Sequence, residues 1–312
     1  MIDLPAPDHI ESTGDDRPTP TLARFIWRMS GWRQVLLGAL ALLSAALGLA
    51  PIELQRRIID DAVMREDLEL LLTLGGLYAG VLVAHRLAKF ALGLGQGWVG
   101  ESATLYCRRH LLGLWRRRGA EAEGGGEAVS ITGPEIDQLA GFVGAGPSQA
   151  IGSAGLLLGV LGYMVWTAPD VAGVSLALLA PQFVLAPVIQ RRINRLTTTR
   201  VERLRAFGDA VTEHDRSGEA ERLSLLLYRN RMALNAWKHL QKGAMNLLNA
   251  AAPLGLLLYG GWLAIEGETT VGVLVAFLSG FQRIVEPVRE LLRFYRDCSN
   301  NGVRHRMIAR WM

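Results

Sequence analysis

The sequence predicts an all-α membrane protein with six transmembrane helices, and its composition and patterning carry that prediction. The 312 residues are 50% hydrophobic and 20% charged, with a mean hydropathy of +0.22, whereas soluble domains carry about 25% charged residues. The apolar residues gather in runs close to the ~20 residues that cross ~30 Å of hydrocarbon. Five runs are evident: Val35–Ile52, Leu68–Ala84, Ala150–Trp166, Val171–Ile189 and Leu247–Ile265.

The sixth run, Val271–Phe281, is shorter, and the distribution of basic residues supports it as a span. With six spans and a cytoplasmic N-terminus, 30 of the 33 Lys and Arg residues lie on the cytoplasmic side. With five spans, the basic residues after Val271 would lie outside, against the positive-inside rule. Because 30 of the 33 are Arg, a GC-rich bacterial genome is indicated. We therefore expect a multi-pass protein of the bacterial inner membrane with both termini cytoplasmic.

The net charge of +4 follows from this topology, so nucleic acid is not an expected partner and the lipid bilayer is. No basic stretch interleaved with aromatic residues argues otherwise. Cys107 and Cys298 both fall in cytoplasmic segments. We therefore expect two reduced, unpaired thiols.

The N-terminal segment predicts a disordered stretch over residues 1–18 and an interfacial elbow helix over residues 19–30. The first stretch is polar, acidic and Pro-rich, without periodicity. Four apolar residues then recur at helical spacing: Leu22, Phe25, Ile26 and Met29. Such an amphipathic helix lies in a membrane interface, with Trp27 and Trp32 at the boundary. Residues 31–312 form the predicted six-helix domain.

Long cytoplasmic extensions are predicted after the second and fourth spans and before the fifth, because helix-forming residues continue there. The outer loops Thr167–Asp170 and Glu266–Thr270 are short by comparison. Two cytoplasmic turns interrupt the extensions, one at Thr132–Glu135 and one near Asp215–Gly218. We expect a short transverse helix beside each turn, placed to be held by a cytoplasmic partner.

Several segments, in order, resemble the transmembrane domain of type I ABC exporters over roughly residues 20–312. They include the elbow helix, Ile58-Ile59-Asp60 after the first span, and Gly126…Asp137 before the third. Most specific is the segment from Gly267 to Phe277, which resembles the family's G-x-x-T-x-G-x-L-x-A-F turn between spans five and six. The resemblance implies a homodimer or heterodimer of six-helix subunits. It also implies that spans four and five cross to the other subunit.

The same resemblance implies two coupling helices that dock into ATP-binding domains. The residues that match them in this chain are Glu135, Ile136, Asp137, Leu139 and Phe142 in the first, and Glu213, Gly218, Glu219, Glu221 and Arg222 in the second. The second set is more polar than the family's usual contact. Docking at that position is therefore expected to be electrostatic, or the partner to be unusual.

The chain departs from most of the family because no G-x-x-x-x-G-K-[ST] loop occurs in it. Without that loop the chain lacks the backbone cradle and Lys that hold nucleotide phosphates. We therefore expect no catalytic activity and no cofactor in this chain, with ATP and magnesium on a separate ATPase subunit. The scattered His residues predict no metal site. The Gly-rich segment Gly93–Gly97 is interpreted as close helix packing.

Charged residues at membrane depth are the candidates for a substrate path. In the sixth span Gln282, Arg283 and Glu286 follow the apolar run, and a charge at that depth is costly unless it is paired or faces water. The alternative is an Arg283–Glu286 ion pair that only locks helices. In the second span, His85, Arg86 and Lys89 are expected near the inner headgroups. Snorkelling is the favoured interpretation there, and contact with an anionic lipid-like substrate is the alternative.

These observations favour the membrane-spanning subunit of an ABC exporter-type transporter, which forms the substrate path and couples to its ATPase by alternating access. The alternative is a non-transporting scaffold or regulatory subunit that retains the fold, and the polar second coupling segment favours it. An ion-gradient transporter is less favoured, because inverted half-repeats and broken spans are not evident.

Overall fold

The computed structural model describes residues 21–118, 134–212 and 217–311, and these residues form helices and short turns without a strand. The predicted all-α class is confirmed. We number the α-helices in chain order, with a π-helical turn at Ile58–Val63 after the second. They are α1 Leu22–Ser30, α2 Trp32–Arg57, α3 Leu68–Arg118, α4 Ile136–Thr167, α5 Pro169–Thr212, α6 Ser217–Ile265 and α7 Val271–Trp311.

Five helical segments of the described chain are long and apolar enough to cross a membrane: Trp32–Val63, Leu68–His110, Ile136–Thr167, Gly218–Ile265 and Val271–Arg306. The protein is therefore a multi-pass membrane protein by length and composition. The fourth predicted run, Val171–Ile189, lies in α5. Within the described residues this helix has the apolar stretch Pro169–Leu178, which is shorter than a membrane span. Six spans therefore stay a prediction. With 51 residues, α3 extends about 77 Å at 1.5 Å per residue, more than twice the ~30 Å of hydrocarbon.

The chain divides into two compact units, one formed by Thr167–Thr270 and the other by the residues on either side of it. The first contains α5 and α6, which pack along one another as a helical hairpin. Ile189, Ile193 and Leu234 are buried between these two helices, and the Asn230 amide donates to the Leu196 carbonyl at 3.2 Å. The second unit contains α1 to α4 and α7.

The elbow helix α1 packs its apolar face on the chain itself. Thr21 caps the helix by accepting from the Arg24 backbone N–H at 3.3 Å, and Gly31, with φ 51°, ends it. Phe25 and Met29 are buried against residues of α3, α4 and α7. Helices α3, α4 and α7 therefore cover part of the apolar face of α1, which sequence periodicity does not reveal. The interfacial position of α1 stays a prediction. Trp27 and Trp32 remain exposed.

Helices α3 and α4 cross closely because glycines meet at the crossing. A Cβ atom on Gly144 would lie 2.7 Å from the Gly100 backbone nitrogen. Beside this point the Gln96 amide donates to the Ser148 hydroxyl at 2.9 Å. The predicted packing role of Gly93–Gly97 holds at Gly95, where a Cβ would lie 2.7 Å from the Leu37 side chain. It does not hold at the other two glycines of that segment, which have open space around them.

Candidate functional site

Three helices meet around the backbone of Gly48 in α2, and two of them bring a basic side chain to it. The Arg283 guanidinium of α7 donates a hydrogen bond to the Gly48 carbonyl. The His85 ring of α3 lies so close that a Cβ on Gly48 would be 3.0 Å from its Cε1 atom. On the third side, Leu156 of α4 lies 3.6 Å from the same Cβ position. Glycine at position 48 therefore allows the His85 ring to approach α2 closely.

The helix register places this meeting point inside the apolar runs of α2 and α4. Gly48 belongs to the run Val35–Ile52, and Leu156 belongs to the run Ala150–Trp166. Because both runs are long enough to cross hydrocarbon, the Arg283 guanidinium lies at membrane depth. A charge there is stabilised by a polar partner, and the Gly48 carbonyl is that partner for one of its N–H groups.

Helices α2 and α3 run antiparallel with a register fixed at three points. The Gln55 amide donates to the Tyr78 hydroxyl at 3.2 Å, Gly48 faces His85, and Gly95 faces Leu37. The register puts Lys89 level with Ser44, nine residues beyond Val35, or about 14 Å at 1.5 Å per residue. The sequence-based expectation places Lys89 near the inner headgroups. That expectation measured depth from the start of the α3 run, which is offset from the α2 run.

The other predicted path residues are exposed on α7. Gln282 and Glu286 both lie on its exposed face, and a Glu286 carboxylate oxygen is 4.0 Å from the Arg289 guanidinium. The Arg283 guanidinium is directed instead to Gly48, so it does not form the Arg283–Glu286 ion pair that was the alternative interpretation. One turn further, Glu290 accepts a hydrogen bond from the Ser153 hydroxyl of α4. Of the three predicted path residues on α7, Arg283 therefore contacts α2, whereas Gln282 and Glu286 are exposed.

A polar network at the C-terminal end of α2 was not singled out from the sequence. Glu53 accepts from Arg56 at 2.7 and 2.9 Å, from Arg57 at 2.7 Å and from the Tyr163 hydroxyl at 2.9 Å. The Ser279 hydroxyl donates to Gln55 at 2.6 Å. The network joins α2 to α4 and α7. Its signal in the sequence is the cluster of charged residues directly after the first apolar run.

The residues predicted for the first coupling helix lie at the N-terminal end of α4, which continues without a break to Thr167. A separate short helix is therefore not formed by residues 136–143. Ile136, Leu139 and Phe142 are buried inside the chain, so they do not lie on an exposed docking face. Asp137 is exposed and pairs with Arg108 of α3 at 2.7 Å. Glu135 precedes the helix and has a buried carboxylate oxygen.

The residues predicted for the second coupling helix begin α6. Gly218, Glu219, Glu221 and Arg222 are all exposed in its first turns, and Glu219 adds a negative charge where the helix dipole favours one. Glu213 lies outside the described residues. This end of the hairpin therefore presents a polar, charged surface.

No family model matches this chain, and no curated protein matches it. Within residues 21–118, 134–212 and 217–311, no group of three or more His, Cys, Asp or Glu side chains could hold a metal ion. The site described above consists of charged side chains on helices, at membrane depth and at the helix ends.

Proposed function

We propose that the chain is the membrane-spanning subunit of an ABC exporter-type transporter, which forms the substrate path and works with a separate ATPase subunit. The observation that carries the proposal is the division of the chain. The hairpin α5–α6 packs on itself and forms a compact unit of its own. A pair of spans that crosses to a second membrane subunit requires this independence, and the resemblance assigns the crossing to spans four and five.

The lengths of the helices support the same proposal. The hairpin helices contain 44 and 49 residues, about 66 and 74 Å at 1.5 Å per residue. Both exceed the ~30 Å of hydrocarbon by enough to form stalks. A stalk can transmit the movement of a cytoplasmic ATPase to the substrate path, and ATP with magnesium would bind to that partner.

The exposed start of α6 is the contact that we propose for the ATPase. Its acidic residues, Glu219 and Glu221, are exposed and suit an electrostatic contact with a basic surface. Arg283 is the substrate-path residue that we propose first, because it reaches membrane depth. Alternating access would then open the part of the path around Arg283 to one side of the membrane at a time.

Co-purification and ATP turnover test the proposal. Tagged full-length protein from native membranes should bring down a subunit with a phosphate-binding loop, and the complex should hydrolyse ATP. Charge reversal by E219K/E221K should lower that turnover. The matched control is E266K/E268K, which reverses two exposed carboxylates at the other end of α6. If no ATPase associates and transport proceeds without one, the proposal is wrong.

A non-transporting scaffold is the second candidate, and the polar surface at Gly218–Arg222 favours it. A scaffold needs an exposed docking surface but no coupling to ATP turnover. In that case E219K/E221K would release a bound partner without changing any ATP hydrolysis in the membrane fraction. The two candidates therefore differ in one measured quantity, the rate of ATP turnover in the double variant.

A further inference from the structure

A basic cluster lies around the meeting point of α2, α3 and α7 at membrane depth. His85 and Arg283 meet at Gly48, and Arg86 and Lys89 follow His85 on α3 within about one helical turn. Arg86 and Lys89 are exposed on α3. We propose that this cluster binds the anionic headgroup of an amphiphile, with Arg86 and Lys89 as its main contacts. The inference adds a ligand class to the proposed function, which names none.

The first argument is the cost of charge at this depth. In the part of the chain that the structure describes, no ion pair joins Arg86 or Lys89 to a carboxylate. Basic side chains near the end of a span can snorkel to the interface, but a charge near the bilayer centre is costly without a partner. Because Lys89 is level with the middle of the α2 run, a bound anion would supply the missing negative charge.

The second argument is the apolar surface around the two basic residues. Four large apolar side chains on α3 are exposed within a few residues of them: Leu82, Val83, Leu87 and Phe90. A free phosphate ion has no apolar group to place on this surface, whereas the acyl chain of an amphiphile can lie against it while the headgroup contacts Arg86 and Lys89. The combination of exposed cations and exposed apolar side chains therefore fits an amphiphile with a phosphate or carboxylate headgroup.

The third argument is the fixed position of His85 and Arg283 behind the two exposed residues. Arg283 is held by the Gly48 carbonyl, and His85 packs against Gly48. The Nδ1 atom of His85 is buried without a hydrogen-bond partner among the described residues. Both groups are already placed before any ligand binds, so Arg283 adds positive potential at the site at little cost in side-chain entropy.

The test measures binding of dansyl-labelled phosphatidylglycerol to the full chain in phosphatidylcholine nanodiscs, by energy transfer from its Trp residues. Dansyl-labelled phosphatidylcholine is the neutral reference. The variant R86Q/K89Q removes two exposed charges, and the matched control R231Q/K238Q removes one Arg and one Lys that are exposed on α6. Each basic residue near an anionic lipid contributes about fivefold. We therefore expect R86Q/K89Q to weaken binding on the order of 25-fold, and the control to bind as the wild type does.

Three results would overturn the inference. Equal affinity for the two labelled lipids would show that the site does not recognise an anionic headgroup. Displacement of phosphatidylglycerol by millimolar inorganic phosphate would show that a soluble anion, not an amphiphile, occupies the site. A change of oligomeric state in R86Q/K89Q with lipid affinity unchanged would show that a second copy of the chain covers this face. None of these readouts depends on ATP turnover, so the inference can fail while the proposed function stands.

Discussion

The Asp60 carboxylate accepts a hydrogen bond from the backbone N–H of Gly272 at 2.8 Å, and this contact joins the turn after α2 to the start of α7. The first N–H groups of a helix have no partner within it, and a negative charge at that end is favoured by the helix dipole. Asp60 therefore caps α7 from a distant part of the chain. The two segments that meet here, Ile58–Asp60 and Gly267–Phe277, are both among those that carry the family resemblance.

Replacing Gly272 with Ala should destabilise the protein. A Cβ atom there would lie 2.5 Å from the Asp60 carboxylate carbon and 2.6 Å from the Arg56 carbonyl oxygen, and the latter is backbone that cannot move aside cheaply. Overpacking of this kind costs about 1–3 kcal/mol. Thermal unfolding of the purified protein in detergent measures the change. G76A is the control, because no atom lies within 4 Å of a Cβ at Gly76; equal loss in both variants would contradict the prediction.

Substitutions at Asp60 should show whether its hydrogen-bond acceptor or its charge contributes more to the stability of the protein. D60A removes the cap of α7, and loss of a helix cap costs about 1 kcal/mol. D60N keeps an oxygen that can accept from the Gly272 N–H, so it should retain most of the stability. The same thermal unfolding measurement compares the two variants. If D60N is as unstable as D60A, the charge of Asp60, and not its hydrogen bond to Gly272, stabilises this corner.

The crossing of α3 and α4 should be sensitive to one glycine and tolerant at a neighbouring one. A Cβ on Gly144 would collide with the Gln96 carbonyl and lie 2.7 Å from the Gly100 nitrogen. Replacing Gly144 with Ala should therefore force the helices apart and lower the free energy of unfolding by at least the ~1–3 kcal/mol of an overpacked core. Gly141 lies on the same helix with no atom within 4 Å of its Cβ position. G141A should be neutral or slightly stabilising, because Ala favours helix more than Gly does.

The sequence predicted what depends on local pattern and missed what depends on contacts between distant segments. The run Val35–Ile52 is recognisable because hydropathy over ~20 residues is a local property. The approach of His85 and Arg283 to Gly48 joins three segments far apart in the chain, and no periodicity encodes it. The level of Lys89 relative to α2 could not be predicted for the same reason, since it depends on the register between α2 and α3.

The apolar face of Ile136 and Leu139 shows a further limit of sequence reasoning. Its helical spacing correctly predicts that the face is covered, but spacing does not identify what covers it. The resemblance suggested an ATPase, whereas in the structure α1, α3 and the end of α7 pack on these residues. The exposed segment Gly218–Arg222 carries no comparable apolar face, so its interpretation still depends on the resemblance.

The two cysteines should differ in reactivity. Both are free thiols, as predicted, but Cys107 is 1% exposed and packs in the cluster beside α1, whereas Cys298 is partly exposed. Since access limits thiol reactions, a maleimide should label C107S, which keeps Cys298, within minutes and should leave C298S unlabelled until denaturant is added. Mass spectrometry counts the labels. Rapid labelling of C298S in the folded state would show that α1 detaches from α3 and exposes Cys107. F25A, which removes a large side chain from the same cluster, should speed the labelling of C298S and leave that of C107S unchanged.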